Sequence, residues 1–204
     1  MKTNKTQFSR GRQTEIVKVT MELAFEVGPN AVSTSLIADR LGVSQPAIYK
    51  HFKSKDAIWL LVSEQLAQTI IENVKTSRAS TLPPLQNLRD LVMRHMRFIQ
   101  SVPALPDIMI MRQTTGSHKV IRLRLQSEMA QLHEIVVALA SRAQNQNQIR
   151  DDIAATDVAT LVTGVMQGLV LRMIISRNPS QLAVDCDRLL NLQLETLAPR
   201  GLTP

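Results

Sequence analysis

The sequence predicts an all-α protein. Only 3% of its 204 residues are aromatic and it has seven glycines, so residue types favoured in strands and tight turns are scarce. Apolar residues recur instead at helical spacing between short breaks rich in Pro, Gly and Asn, and we find no alternating β pattern or internal repeat. We therefore expect an N-terminal three-helix domain, a connecting helix and a larger C-terminal helical bundle.

The N-terminal segment and the first helix are separated by a change in pattern. Residues 1–11 are basic and aperiodic, which predicts a flexible arm. An apolar face begins after Arg12, and Gly28 followed by Pro29 ends it, because glycine suits a left-handed cap and proline cannot continue a helix.

Two short helices follow, each with its own start signal. Ser33 is placed to cap a second helix that stops at Gly42. Ser44 is placed to cap a third, with Pro46 in the first turn, where its missing N–H costs nothing. Two helices joined by so tight a turn predict a helix-turn-helix.

The rest of the chain predicts longer helices. A fourth helix starts near Ser54 and ends before the break "TSRASTLPP". Beyond it the periodicity predicts helices at about 85–101, 104–114, 118–145, 155–177 and 180–197. We expect three parts in all: the arm 1–11, a helix-turn-helix domain 12–55 and a larger helical domain 56–204.

Charge and cysteine usage narrow the partners and the compartment. The net charge is +7, and residues 1–60 hold nine Lys and Arg against five Asp and Glu, which favours an anionic partner there, nucleic acid first and acidic lipid second. The single Cys186 fits a reducing cytoplasm. The longest apolar run, "VATLVTGVMQGLVL", is shorter than the roughly 18 residues of a membrane span. We expect a soluble cytoplasmic protein without a membrane partner, in which this run is a buried helix.

The helix-turn-helix assigns an inner and an outer side to residues 37–51. Ala38 supplies the close helix contact and Gly42 the turn, while the apolar residues Ile37, Leu41, Val43 and Ile48 face the core. This leaves an exposed surface formed by Gln45, Pro46, Ala47, Tyr49, Lys50 and His51.

Residues 12–60 resemble the DNA-binding domain of TetR-family transcriptional regulators. The resemblance is carried by "TSLIADRLGVSQPAIYKHFKSKDAIW" and the preceding "ELAFEVGPNAVS", and "LGVSQPAIYKHFKSK" is especially similar to the recognition helix of the tetracycline repressor. The later two-thirds resemble the family in helix number and in "IRDDIAATDVATLVTGVMQGLVL". The resemblance implies that residues 12–55 form a DNA-binding domain and residues 56–204 a ligand-binding and dimerisation domain.

The predicted DNA-binding residues divide into base readers and phosphate contacts. The Gln45 amide can form two hydrogen bonds with an adenine edge, and Lys50 can contact a guanine or a phosphate. Pro46 and Ala47 either contact a thymine methyl or simply start the helix. The resemblance implies phosphate contacts from Tyr49, His51 and Lys55, and the helix-start Ser33 is placed to make another. Ser44 completes the set, and Arg10 and Arg12 are candidates for the adjacent minor groove.

A plainer interpretation of the same residues stays open. Phe52 and Tyr49 are also typical packing residues, and Lys50, Lys53 and Lys55 are also typical of a solvated basic face.

The C-terminal bundle predicts a mainly apolar effector pocket. His95 falls on the apolar face of its helix, where it is either a polar anchor for a ligand or a core histidine. Methionines fill irregular space around varied apolar guests, or they are ordinary core. The predicted ligand-binding residues are Met93, His95, Met96, Met109, Arg112, Gln113, Met166 and Gln167.

The last two helices predict a homodimer. The helix at 155–177 is apolar nearly all round and must bury two faces. The resemblance implies that this helix and the next pair with their symmetry mates, through Gly164, Gly168, Leu171, Leu189, Leu190 and Leu194. A two-fold dimer would place two recognition helices about 34–36 Å apart, on successive major-groove turns.

Signals for an enzyme are weak. The sequence has no nucleophile elbow, P-loop or dinucleotide fingerprint. His51, His95, His118 and His133 lack metal-ligand spacing, and Asp151 and Asp152 fit a helix N-terminus. We therefore expect no catalytic residue, metal or cofactor, and an all-α enzyme with an incidental helix-turn-helix is the least favoured interpretation.

Together these features predict a ligand-responsive TetR-like regulator, which we expect to be a repressor. It would bind a palindromic double-stranded DNA operator as a dimer and be released by a small-molecule effector. The alternative is a DNA-binding protein whose C-terminal bundle binds a protein partner and no small molecule.

Overall fold

The computed structural model describes residues 2–109 and 117–199. Within these ranges the chain forms nine α-helices and no strand, which confirms the all-α prediction. In chain order they are α1 (Lys2–Val27), α2 (Thr34–Leu41), α3 (Gln45–Tyr49), α4 (Lys55–Arg78), α5 (Pro84–Ser101), α6 (Leu105–Met109), α7 (Ser117–Asn145), α8 (Ala155–Ser176) and α9 (Leu182–Thr196).

The helix ends follow the predicted punctuation with three differences. The fourth helix, expected to end before the break at 76–84, continues to Arg78 inside it. The helix expected at 104–114 is described as Leu105–Met109, and the rest of that prediction lies outside the described residues. The first helix begins at Lys2, so residues 2–11 are helical where the sequence predicted a flexible arm. No proline interrupts this segment, and Gly11 inside a helix costs only about 1 kcal/mol, so α1 extends through it.

The chain divides into two compact units. Among the described residues, one comprises 2–67, 102–109 and 117–126, and the other comprises 68–101 and 127–199. The long helices α4 and α7 contribute to both units because the division falls inside each of them.

The first unit is built around α1, which packs against α2 and α6, while α2 packs against α3. Its core side chains are almost wholly buried and include Ile16, Leu23, Ile37, Ile48 and Trp59. Phe52 is also buried, so the packing interpretation of this residue is confirmed. Burying such large apolar side chains, at about 1.5–3 kcal/mol each, is the main term that holds the three short helices in place.

In the second unit, α9 packs against α5 and α8. A buried polar pair joins the end of α4 to the start of α5: Ser77 Oγ donates to Asn87 Oδ1 at 2.9 Å, and Asn87 Nδ2 donates to the Ser77 carbonyl at 2.8 Å. Because each buried polar group of this pair has a partner, the helix corner incurs no desolvation cost for an unpaired group.

Candidate nucleic-acid interface

The turn between α2 and α3 is fixed by a left-handed glycine. Gly42 has φ +65°, its N–H donates to the Asp39 carbonyl at 3.2 Å, and the Val43 N–H donates to the Ala38 carbonyl at 3.0 Å. This hydrogen-bond pair is a Schellman motif, which satisfies the last carbonyls of α2 and sets the direction in which the chain leaves it. Ala38 is buried where the helices meet, as predicted.

The two helix starts differ in how they are capped. Ser33 Oγ accepts the Leu36 N–H at 3.1 Å, which confirms the predicted cap of α2. Ser44 stands at the start of α3, but its side chain makes no capping hydrogen bond within the described chain, so the predicted side-chain cap is wrong. The Ala47 N–H instead bonds the Ser44 backbone carbonyl at 2.9 Å, and Pro46 has no N–H that needs a cap.

The recognition helix α3 has one buried side and one exposed side. Ile48 is 1% exposed and faces the core, whereas the Tyr49 side chain is 48% exposed. The solvent-facing residues are Ser44, Gln45, Pro46, Tyr49 and Lys50, while Ala47 and His51 are half-buried. The C-terminal end of this segment is tied to α1, because Gln13 Nε2 donates to the His51 carbonyl at 3.0 Å.

A buried threonine links the polar residues of α3 to α2. Gln45 Nε2 donates to Thr34 Oγ1 at 2.7 Å, and Tyr49 Oη lies 3.3 Å from the same oxygen. Sequence reasoning did not select Thr34, although its place directly after the capping Ser33 puts it at the α2 terminus that faces α3.

The predicted phosphate contacts lie at the edges of this surface. Ser33 is exposed, and its hydroxyl proton remains available because the cap uses only the oxygen as acceptor. Lys55 is half-buried at the first residue of α4, whose start is capped by Ser54 Oγ accepting the Ala57 N–H at 3.1 Å. His51 Nδ1 is buried and has no partner among the described residues, so a DNA contact from His51 would have to come from Nε2.

The predicted arm residues are engaged or lie outside the description. Arg12 Nη1 pairs with Glu15 Oε2 at 2.6 Å within α1. The side chain of Arg10 lies outside the described part of the chain.

The predicted ligand-binding residues that the structure describes differ in the unit to which they belong and in their burial. Met93, His95, Met96 and Met166 are buried in the second unit, whereas Met109 belongs to the first unit and Gln167 is exposed on α8. Gln167 therefore lies on the solvent side of its helix and not among the buried methionines. Arg112 and Gln113 lie outside the described residues.

A groove of about 700 Å³ lies between α5 and α9, apart from most of these residues. Its lining mixes charged and apolar side chains and consists of Leu82, Gln86, Arg89, Asp90, Met93, Arg97, Ala183, Val184 and Asp187. Among the described residues that were predicted to bind ligand, Met93 alone lines it. Arg89 bridges its walls by pairing with Asp187 at 2.6 Å.

His95 is a core histidine in its surroundings. It is 1% exposed, its ring centroid lies 6.4 Å from that of Phe98, and Nδ1 has no hydrogen-bond partner in the part of the chain that is described. Burial lowers the pKa of His95 to about 4, so the ring is neutral near pH 7.

The predicted dimer residues fall into three groups by burial. Gly164, Gly168 and Leu171 are exposed on α8, whereas Leu190 is fully buried within its own unit and cannot face a partner, which corrects that assignment. Leu189 and Leu194 are half-buried. Leu190 is buried because α9 packs against both α5 and α8.

The exposed side of α8 is more apolar than the predicted set suggested. Leu161, Leu171 and Ile175 are 49%, 57% and 76% exposed, and they share a helical stripe with the two glycines. A Cβ at Gly164 or Gly168 would meet no described atom within 4 Å. By length and composition α8 could cross a membrane, and 33% of its most apolar stretch is buried in this fold, so the helix that was expected to be buried is only partly so.

Within the described ranges, no group of three or more His, Cys, Asp or Glu side chains is placed to hold a metal ion. Cys186 is buried, and burial together with the nearby Asp187 raises the pKa of its thiol to about 11.

Comparison with known proteins identifies the domain that carries this surface. Residues 16–62 match the sequence model of the bacterial regulatory proteins of the tetR family. The tetracycline repressor protein class C of Escherichia coli is 39% identical over 51 residues, which is 25% of this chain and 23% of the repressor.

Two further similarities extend over most of the chain. The nucleoid occlusion factor SlmA of Cronobacter sakazakii is 26% identical over 173 residues, covering 82% of this chain and 85% of SlmA. The crystal structure of the TetR-family transcriptional regulator PfmR from Thermus thermophilus superposes with a TM-score of 0.67 at 21% identity, covering 93% of this chain and 99% of PfmR. Residues 16–62 therefore form a TetR-type DNA-binding domain, and the chain has the fold of the TetR-family regulators.

Proposed function

We propose that the protein is a dimeric repressor that binds a near-palindromic operator through α3 and leaves it when a small molecule binds the C-terminal unit. The observation that carries the DNA-binding part is the exposed polar side of α3, which is held on a buried Ile48 by a turn that Gly42 fixes. A short helix with this anchoring suits insertion into a major groove. A cytoplasmic location follows from the proposed DNA partner.

In this proposal the DNA-binding residues divide between contacts to bases and contacts to the DNA backbone. Gln45 reads an adenine edge, and Pro46 and Ala47 lie beside it for a thymine methyl. Tyr49, Lys50 and Lys55 contact phosphates or, for Lys50, a guanine. The remaining residues of the predicted set, Ser33, Ser44 and His51, lie at the margins of the surface and contribute to the backbone contacts.

The dimer would use the exposed stripe of α8. Leu161, Leu171 and Ile175 expose apolar surface that a second copy would cover, and the open space beside Gly164 and Gly168 lets a partner helix approach closely. A two-fold dimer brings two copies of α3 to one palindromic site.

The DNA-binding proposal is tested by selecting bound sequences from a random DNA library and measuring affinity with salt. Gln45→Ala is expected to cost about 1–3 kcal/mol on the selected site and to relax preference at one base pair in each half-site. Lys55→Ala is expected to weaken all sequences alike and to lower the slope of log K against log salt by about 0.9 per contact. An unchanged selected sequence for Gln45→Ala would show that Gln45 does not read a base.

The dimer proposal is tested by comparing two exposed leucines in sedimentation velocity. Leu171→Asp lies on the stripe and is expected to give a monomer, whereas Leu123→Asp, on α7 with a similar exposure of 50%, serves as the matched control. A dimer that survives Leu171→Asp would remove the stripe from the interface.

The effector part of the proposal requires that the small molecule bind the DNA-incompetent conformation more tightly. A preference of about 1–3 kcal/mol is typical of such coupling. The buried Met93, Met96 and Met166 favour an apolar effector. Operator release measured against a panel of apolar and charged small molecules tests this, and a preference for small charged ligands would contradict it.

A second candidate is a DNA-binding protein whose C-terminal unit binds a protein. The similarity to the nucleoid occlusion factor SlmA supports it, because that match covers 82% of the chain and so extends into the C-terminal unit. The tetracycline repressor match covers 25% of the chain. This candidate would be favoured if no small molecule altered operator binding and if a protein co-purified with the chain by contacting residues 68–101 and 127–199.

A further inference from the structure

We infer that Thr34 is a positioning residue that sets the orientation of the Gln45 amide and, through it, the base preference of α3. The inference rests on the proposed role of Gln45 as a base reader. Thr34 itself need not contact DNA, because its side chain is buried at the start of α2, against the Gln45 side chain of α3.

The geometry places one hydroxyl between two residues of the recognition helix. Thr34 is 6% exposed, and its Oγ1 accepts a hydrogen bond from Gln45 Nε2 at 2.7 Å. The same oxygen lies 3.3 Å from Tyr49 Oη, and either hydroxyl can donate across that distance. Gln45 and Tyr49 are four residues apart and therefore lie on one side of α3, so a single buried group restrains both.

This contact leaves Gln45 with the groups that an adenine edge requires. A glutamine amide has two N–H donors and one carbonyl acceptor. With one N–H committed to Thr34, the second N–H remains for adenine N7 and the carbonyl remains for the adenine amino group. A free glutamine would have to be ordered on binding, whereas the Thr34 bond orders the side chain beforehand and fixes which end of the amide faces outward.

The Thr34 hydroxyl is not needed to start its own helix. The cap of α2 is Ser33, whose Oγ accepts the Leu36 N–H, and the Ile37 N–H bonds the Ser33 carbonyl at 3.0 Å. Removing the Thr34 hydroxyl therefore leaves the cap intact. The bond from Gln45 then gives the buried Thr34 hydroxyl a hydrogen-bond partner.

The test compares variants of the full chain on the sequence selected by the unmodified protein and on its single base-pair substitutions. Thr34→Val removes the hydroxyl and keeps the shape, and it is expected to reduce discrimination at the base pair read by Gln45 by about 3- to 10-fold. Preferences at the other positions and the salt dependence should stay unchanged. Thr34→Ser keeps the hydroxyl and should retain the discrimination of the unmodified protein.

A double-mutant cycle separates positioning from a general structural role. If Thr34 acts through Gln45, adding Thr34→Val to Gln45→Ala should change the base preference no further. Uniform weakening of all sequences by Thr34→Val, or an unchanged preference, would overturn the inference. Thermal unfolding confirms that the variants are folded, and Thr34→Ala provides the same comparison if the valine variant unfolds.

The outcomes also distinguish this inference from the proposed function. If Gln45→Ala leaves base preference unchanged, Gln45 is not a base reader and both ideas fail. If Gln45→Ala relaxes the preference while Thr34→Val does not, only the positioning role fails.

Discussion

The buried histidine predicts how the stability of the protein depends on pH. His95 is 1% exposed, and burial lowers its pKa to about 4 from the value of about 6.5 expected in an unfolded chain. Below pH 6.5 the unfolded state therefore takes up a proton that the folded state does not. The neutral His95 therefore makes its full contribution to the free energy of unfolding above pH 6.5, and this contribution is lost as the pH falls towards 4.

The size of the effect follows from the two pKa values. At pH 7 both states are nearly unprotonated at His95, so the contribution to the free energy of unfolding is nearly complete. By pH 5 the chain should lose about 2 kcal/mol through this one group, and by pH 4 about 3 kcal/mol. This loss is a large fraction of the stability of a typical domain.

The assay is urea unfolding, followed by circular dichroism at pH 7, 6 and 5, of the unmodified chain and of His95→Leu. Any difference in the free energy of unfolding between the two proteins that arises from packing cancels, because only the change of this free energy with pH is compared. His133→Gln, at an exposed position on α7, is the control and should keep the full pH dependence. If the unmodified chain and His95→Leu lose the same stability between pH 7 and 5, His95 is not buried as a neutral ring and the reasoning is refuted.

Three further predictions concern the turn, the helix corner and the thiol. Gly42→Ala should lower the free energy of unfolding by about 1–2 kcal/mol, because Gly42 has a φ of +65°, which alanine rarely adopts. A Cβ at this position would meet no described atom within 4 Å, so the cost should come from the backbone, and Gly42→Asn should cost less. Equal costs for the two variants in urea unfolding would contradict a purely backbone origin. Asn87→Ala should cost about 1–3 kcal/mol in the same measurement because it leaves buried groups of Ser77 unpaired, whereas the exposed Asn145→Ala should be nearly neutral. Cys186 is buried with a raised pKa of about 11, so iodoacetamide at pH 8 should label the urea-unfolded chain and leave the native chain unlabelled; rapid native labelling would show that the thiol is accessible.

The local features of the N-terminal domain could be predicted because they are encoded by neighbouring residues. Gly42 ends α2 in the left-handed conformation, and Ser33 caps it through an atom three residues from its partner. The inner and outer sides of α3 follow from helical spacing, so the exposure of Gln45 and the burial of Ile48 were both accessible from the sequence. The cap expected from Ser44 was the exception, because a backbone carbonyl satisfies the same turn.

Residues that are distant in sequence were harder to assign. The bond between Thr34 and Gln45 crosses from one helix to another, and periodicity within either helix gives no sign of it. Likewise, the spacing that put His95 and Gln167 in one pocket does not show which neighbour covers each face, and the structure buries the first and exposes the second.

The sequence by itself determined most of the helix ends after Arg12, which side of α3 faces outward, and the TetR-type helix-turn-helix. Only the tertiary structure decided that Leu190 is buried while Leu171 is exposed, although both lie on strongly apolar helices. The physical reason is that capping and turn geometry depend on contacts within a few residues. The burial of a helix that is apolar nearly all round depends instead on which other helices pack against it.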